Sequence, residues 1–197
     1  MRDSIRINNW LTFVSIIIIS VTLVLYSKYI APEQQKKAAM KNQPSCQTDS
    51  TKLGKIVCFD KVYDHKKIKE GLALLKQGDY TLNGGMILAE HMPTQLQKHI
   101  TLSHTDKYFL DALDIKQNKD SIRKLNINYE IIENDKADPK KKSDSKACKL
   151  YAGYVLVSFR INNKQLYRIQ IDFHSYDKNE IKERIDCVIK SFIHNAS

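Results

Sequence analysis

The sequence predicts an α+β protein in which a C-terminal helix packs on an antiparallel sheet, preceded by an N-terminal transmembrane helix. Three observations predict this arrangement. Residues 10–26 contain no charged side chain. Apolar and polar residues alternate in the C-terminal half, as is typical of half-buried strands. Residues 179–193 carry apolar side chains at helical spacing.

The uncharged segment predicts an anchor in the membrane. It reads WLTFVSIIIISVTLVLY over residues 10–26, and as a helix it spans about 26 Å, close to the hydrocarbon thickness of a bilayer. Aromatic residues flank the segment, where an aromatic belt lies in membrane proteins. The bulky Tyr29 and the following Pro32 do not fit a cleavage site. We therefore expect an uncleaved, single-pass signal anchor over residues 10–30.

The rest of the chain divides into a short N-terminal tail (1–9), a polar tether (31–52) and a domain (53–197). Counting basic residues on the two flanks favours a cytoplasmic C-terminal side. However, large domains cross membranes with little regard for charge, and four cysteines suit an oxidising compartment. We therefore expect a protein of the cell membrane with its C-terminal domain outside the cytoplasm, in the periplasm or the extracellular space.

The cysteines stand at positions 46, 58, 148 and 187. Four cysteines allow three pairings, and the sequence does not select one. Cys187 lies off the apolar stripe of the last helix, which favours a disulfide bond over simple core packing. Our preferred pairing joins Cys46 to Cys58 and Cys148 to Cys187. Four reduced thiols are the alternative and would follow from a cytoplasmic domain.

The first half of the domain shows weaker patterns. A short apolar run at residues 54–59 predicts a strand, and Asp64 is suited to begin a helix over residues 65–77. The pair Asn83–Gly84 lies at the centre of the segment 80–88 and predicts a tight hairpin. A helix over residues 87–92 is the competing interpretation.

The second half is more regular. Thr105 is placed to cap a helix, and residues 125–131 alternate as a strand does. Two further apolar sets then predict a hairpin, with Phe159 opposite Tyr167 because both sets must face the core. This pairing leaves a three-residue loop at 162–164, which needs a left-handed residue. The two sets are Val155, Val157, Phe159 and Ile161, and Tyr167, Ile169, Ile171 and Phe173.

The hairpin face that points away from the core is the candidate partner-binding surface. Its aromatic, leucine and arginine side chains are the mixture enriched in protein interfaces. The alternative is that the early helices or the strand at 125–131 cover this face. The candidate residues are Tyr154, Leu156, Arg160, Arg168 and Asp172.

No common catalytic motif is present, so we expect no catalytic residue, metal or cofactor. The nearest constellation is His91, His99, His104 and Asp106. Histidine and carboxylate side chains bind transition metals, but histidines in a lysine-rich chain more often lie at the surface. Ser103–Asp106 is better suited to begin a helix than to form a catalytic dyad.

The formal net charge of +10 bears on the partner. The lysines are scattered and do not form one stripe, and a solvated lysine surface is the commonest interpretation of such a charge. If the charge serves a partner, anionic headgroups, an acidic envelope polymer or an acidic protein suit it better than nucleic acid does. We expect a non-catalytic envelope protein that binds other proteins within a secretion or surface assembly. The alternatives are an immunity or inhibitor protein that blocks a toxin or hydrolase, and an enzyme that acts on an envelope polymer.

Overall fold

The structure is a computed structural model that describes residues 2–26, 28, 57–139 and 151–197. The chain divides into two compact units, residues 1–43 and residues 44–197.

The described part of the first unit is essentially one helix, α1 (Arg2–Leu25). It begins eight residues before Trp10 and so includes the predicted tail. The hydroxyls of Ser20 and Thr22 donate to carbonyl oxygens one turn earlier in the helix. Among the described residues, no helix combines the length and the hydrophobicity needed to cross a membrane. The predicted transmembrane helix is therefore unsupported, and the predicted tether lies outside the described residues.

The second unit is an α+β domain, which confirms the predicted α+β class, but its sheet is mixed and not wholly antiparallel as predicted. In chain order its elements are β1 (Val57–Val62), α2 (Lys67–Lys76), β2 (Tyr80–Ile87), α3 (Leu96–His99), α4 (Leu102–Leu113), β3 (Leu125–Glu133), β4 (Gly153–Ile161), β5 (Lys164–Phe173) and α5 (Lys178–Ala196).

The five strands form one sheet in the order β1-β5-β4-β3-β2. All neighbours are antiparallel except β2, which is parallel to β3. The predicted hairpin at Asn83–Gly84 is wrong, because β2 runs straight through both residues. A type I′ turn needs positive φ at both positions, and neither residue has it. Instead the Asn83 amide donates to the Asn128 side chain on β3 at 3.0 Å.

The C-terminal hairpin has the predicted pairing but a different turn. Phe159 pairs with Tyr167, as predicted. The loop is only two residues, because Asn162 and Asn163 both have positive φ. A β-bulge at Leu166 restores the register, since an extra residue in one strand shifts the pairing by one. Leu166 is therefore buried beside Tyr167 rather than exposed.

The helices cover one face of the sheet, and their apolar side chains form a single core with the strands. The Asp64 carboxylate accepts the backbone N–H groups of Lys66 and Lys67 at the start of α2, which begins two residues later than predicted, with Lys66 at its N-cap position. The predicted cap at Thr105 is wrong. Thr101 caps α4 by accepting the N–H of His104, and Thr105 is buried one turn inside the helix.

Candidate functional site

The face of the sheet opposite the helices carries the candidate site, and we call it the open face. Side chains of neighbouring strands form rows across it. In one row Asn83, Asn128, Ser158, Arg168 and Lys61 follow one another from β2 to β1. The early helices therefore do not cover the hairpin's outer side, and β3 lies beside the hairpin rather than over it.

Three positively charged side chains gather at one end of the open face. Arg168 lies directly opposite Lys61 on β1 and opposite Ser158 on β4. Arg160 follows Ser158 on the same face of β4, so it is diagonal to Arg168. We call Lys61, Arg160 and Arg168 the cationic cluster. Like charges that face each other across strands destabilise a sheet, so this grouping calls for an explanation other than stability.

The cationic cluster has no carboxylate partner within the part of the chain that the structure describes. The Nη2 group of Arg160 donates to the Gln165 side chain at 3.2 Å. Its Nε group is buried and has no hydrogen-bond acceptor in the described part of the chain. The Nζ of Lys61 lies 5.0 Å from the centre of the Tyr63 ring, close enough for a cation–π contact. The cluster therefore retains charge and hydrogen-bonding capacity for an outside ligand.

A shallow groove of about 440 Å³ runs over the open face beside the cluster. Its lining includes Asn83, Asn128, Leu156, Arg160 and Arg168. Glu130 is an exposed carboxylate in the same lining, opposite Leu156. The groove thus combines amides, two arginines, one carboxylate and one leucine, which is a lining suited to a polar, extended ligand.

Only three of the five site residues predicted from the sequence line the groove. Leu156, Arg160 and Arg168 line the groove. Tyr154 is half-buried and lies opposite Asp172, which is only 4 % exposed and accepts a hydrogen bond from Gln170. Asp172 is therefore not available for direct contact with a partner.

Sequence reasoning did not identify Lys61, Asn83, Asn128 or Glu130 as parts of this surface. Their strands join the hairpin only through the sheet order, which the alternation of apolar residues does not reveal. For Lys61 the available signal was its position in the short run after residue 57, which places it two residues from Phe59 on the same side of a strand.

A second cluster of polar groups lies at the end of β3 and holds the segment that follows β2. The Glu133 carboxylate is 2 % exposed and accepts the Thr94 hydroxyl at 2.6 Å and the Tyr176 hydroxyl at 2.9 Å. It also accepts the backbone N–H groups of Ala89, Gln95 and Leu96. Burial alone would raise the pKa of Glu133, but these donors lower it below its usual value. Because its acceptor sites are occupied, this carboxylate is structural rather than catalytic.

Asp135 plays a similar role two residues later. It accepts the backbone N–H groups of Glu90 and His91 and lies 2.9 Å from the Nδ1 of His91. Burial opposes the charged form, but these hydrogen bonds outweigh it and lower the pKa of Asp135 to about 2. The hydrogen bond to Asp135 in turn raises the pKa of His91.

The histidine constellation of the sequence does not converge. His91 pairs with Asp135, and His99 stacks on the Tyr176 ring. His104 lies near the Thr101 hydroxyl, and Asp106 accepts the hydroxyl of Tyr129. Among the described side chains, no group of three or more histidine, cysteine or acidic residues is arranged to hold a metal ion.

A third polar cluster begins α5. Glu180 accepts the backbone N–H groups of His174 and Ser175, the His174 ring and the Arg184 guanidinium. Burial would raise the pKa of Glu180, but these donors lower it to about 2. Asp177 caps the helix by accepting the N–H of Asn179. This cluster fixes the first turn of α5 against the end of β5.

Cys187 is buried on α5 and is disulfide-bonded. The side chains of Cys46, Cys58 and Cys148 lie outside the described residues, so both pairings that we preferred from the sequence stay predictions.

Comparison with known proteins gives no relative: no family model, no curated protein and no solved structure matches the chain.

Proposed function

We propose that this chain is a membrane-anchored, non-catalytic binding protein of the cell envelope. Its exported domain binds an acidic segment of a partner protein across the open face of the sheet, as a component of a secretion or surface assembly. The observation that carries the proposal is the cationic cluster of Lys61, Arg160 and Arg168, which has no carboxylate partner among the described residues.

The chemistry of the cluster favours carboxylates. Arginine presents a planar fork of N–H donors that matches a carboxylate in two parallel hydrogen bonds. Arg160 keeps a buried Nε donor that has no acceptor among the described residues, which costs free energy. An Asp or Glu side chain that reaches the groove would pair with the guanidinium groups that line it and offset the repulsion between Arg168 and Lys61.

The groove lining favours a polypeptide over nucleic acid. Asn83 and Asn128 offer amide donors and acceptors for a peptide backbone, and Leu156 offers one apolar contact. The exposed Glu130 carboxylate lies in the same groove. Because every nucleotide carries a phosphate, a nucleic acid in the groove would place a negative charge near this carboxylate and be repelled. An acidic peptide needs only some of its residues to be charged and can place a neutral or basic residue beside Glu130.

The anchor and the location are parts of the same proposal. The uncharged sequence of residues 10–26 supports insertion into a bilayer. The serine and threonine hydroxyls at positions 20 and 22 bond within their own helix, which lowers the cost of placing them in lipid. The disulfide at Cys187 supports a domain outside the cytoplasm.

A peptide titration tests the binding surface. The detergent-solubilised full chain is titrated with a labelled ten-residue peptide rich in glutamate, and with the same peptide carrying glutamine instead. We expect binding of the glutamate peptide only, and its loss in the double variant Arg160→Glu, Arg168→Glu. The matched control is Lys178→Glu with Lys190→Glu, which makes the same charge change on α5. Equal binding by the two double variants would contradict the proposal.

A topology measurement tests the anchor. Reporters that are active only outside or only inside the cytoplasm are fused after Ser197, with and without residues 1–30. We expect external activity that depends on residues 1–30, together with a chain that stays in the membrane fraction at high salt. Internal activity, or release of the full chain by salt, would contradict the proposed location.

A further inference from the structure

We propose that the free edge of β2 is the interface between two copies of this chain, which pair antiparallel about Gly84. The inference goes beyond the acidic ligand of the open face, because it concerns the rim of the sheet. The two strands would join two five-stranded sheets into one continuous sheet of ten strands.

The direction of the backbone groups along β2 supports this interface. β2 is the last strand of the sheet, so no strand of the described residues lies on its outer side. The carbonyl of Asp79 accepts the N–H of Leu125 and therefore points toward β3. In a strand, consecutive residues point their backbone groups to opposite sides. The N–H and C=O groups of Leu82, Gly84 and Met86 consequently point outward, and none of them has a hydrogen-bond partner among the described residues.

The register in which two β2 strands can pair also supports this interface. The outward carbonyl of Tyr80 already accepts the Gln117 amide at 2.7 Å, so the free groups begin at Leu82. A two-fold axis at Gly84 places Gly84 opposite its own copy and Leu82 opposite Met86 of the second copy. This is the one antiparallel register in which all three residues of each strand find partners. It satisfies every free N–H and C=O group of Leu82, Gly84 and Met86.

The uncharged sequence of β2 also suits pairing with a second copy. β2 reads YTLNGGMI and contains no charged residue or proline. Natural proteins protect exposed edges with lysine, proline, bulges or a covering segment, and this strand carries none of the first three. Because the chain has a net charge of +10, two copies repel over much of their surface. An uncharged edge is where a second copy meets least repulsion.

Two partly exposed leucines of α4, the helix that packs beside β2, form an apolar border to this edge of the sheet. α4 packs beside β2, with the Asp106 carboxylate bonded to Tyr129 under Gly84. On either side of Asp106, Leu102 is 39 % exposed and Leu110 is 46 % exposed. The same two-fold axis brings Leu102 of one copy toward Leu110 of the other. A two-fold interface requires such self-complementary contacts.

Sedimentation of the detergent-solubilised full chain tests the proposal. We expect a dimer, and a dissociation constant at least about tenfold higher for Asn83→Lys, which places a charge on the uncharged edge strand, and for Leu110→Glu, which removes an apolar contact. The control is Ile193→Glu, which places the same charge at a residue of similar exposure (39 %) on α5. Circular dichroism shows whether each variant is folded.

Amide hydrogen exchange gives a second readout that needs no substitution. The amides of Leu82, Gly84 and Met86 should become protected as the protein concentration rises, whereas those of the turn residues Asn162 and Asn163 should not. A monomer at all concentrations, or a dimer that all three variants leave unchanged, would overturn the proposal. A chain that binds the glutamate peptide as a monomer would overturn the dimer alone and leave the proposed function standing.

Discussion

The ring of Tyr129 on β3 occupies the space that a side chain on Gly84 of β2 would need. The Tyr129 hydroxyl donates to Asp106 on α4 at 2.5 Å, so the ring is held from both ends. Burial raises the pKa of this tyrosine well above its usual value, and the hydrogen bond to Asp106 acts in the same direction. Gly84, which together with Asn83 suggested a hairpin turn, therefore lies within a strand, where glycine is needed to make room for the Tyr129 ring.

A first prediction follows for the two neighbouring glycines. Gly84→Ala should lower the free energy of unfolding by about 2 to 3 kcal/mol, because the added methyl group forces the fixed tyrosine to move. Gly85→Ala is the matched control: a Cβ there would make ordinary contacts with the Glu130 side chain at 3.7 Å and the Tyr129 carbonyl oxygen at 3.8 Å. Urea unfolding at low protein concentration measures both. Equal losses at the two positions would contradict the role assigned to Tyr129.

The carboxylate at the end of β3 supports a second prediction. Glu133→Gln should destabilise the domain by about 3 kcal/mol, since it removes a buried charge that accepts five hydrogen bonds. Amide exchange at Gln95 and Leu96 should accelerate first. Glu130→Gln, an exposed change on the same strand, should alter stability by less than about 0.5 kcal/mol. Unchanged amide exchange at Gln95 in the Glu133→Gln variant would show that the Glu133 carboxylate does not hold this segment in place.

The carboxylate that begins α5 makes stability depend on pH. The folded pKa of Glu180 is about 2 against an ordinary value of 4.5. The stabilisation is therefore complete above about pH 4.5 and disappears as the pH falls toward 2. At neutral pH, Glu180→Gln should lower the free energy of unfolding by on the order of 2 kcal/mol.

The test is the difference between the variant and the parent chain as the pH falls. That difference should shrink between pH 4.5 and 2, because the parent loses the contribution of Glu180 there. Glu183→Gln, at an exposed position of α5, is the control and should leave the curve unchanged. A constant difference down to pH 2 would show that the Glu180 carboxylate is not the titrating group.

The disulfide at Cys187 gives a prediction about thiols. In the folded chain before reduction, Cys187 should not react with a maleimide, and it should react after reduction and unfolding. Peptide mapping without reduction identifies the cysteine to which it is bonded and so decides between Cys148 and the other two. A Cys187 that reacts in the unreduced, unfolded chain would contradict an oxidised state and would favour a cytoplasmic domain.

The sequence was informative where one face of an element is buried. Alternation predicted β3 and the pairing of Phe159 with Tyr167, because a one-residue slip would expose the apolar set. It did not reveal that the two-residue Asn162–Asn163 turn is compensated by a bulge at Leu166. A bulge adds a buried residue without changing the alternation on either side of it, so the turn length was overestimated.

The sequence was misleading where a local signal had a tertiary cause. Asn83–Gly84 resembles a turn in isolation, but the glycine serves the Tyr129 ring and the asparagine pairs with Asn128. The parallel strand β2 could not be inferred from its own residues. The open face was only partly predictable for the same reason. Arg160 and Arg168 were identified on the hairpin, whereas Lys61 lies beside them only because β1 pairs with β5.

The role of the cationic cluster is tested by measuring both the free energy of unfolding and the binding of the glutamate peptide in the variant Arg168→Gln. Removing this charge should raise the free energy of unfolding by about 0.5 kcal/mol, because it relieves the repulsion from Lys61 across the strands. The same change should weaken binding of the glutamate peptide by at least about tenfold, the effect of losing one charge-assisted hydrogen bond. Opposite signs in the two readouts are the result that this account predicts. If the variant is less stable and binds the peptide as the parent chain does, the cationic cluster is structural and the proposed function is wrong.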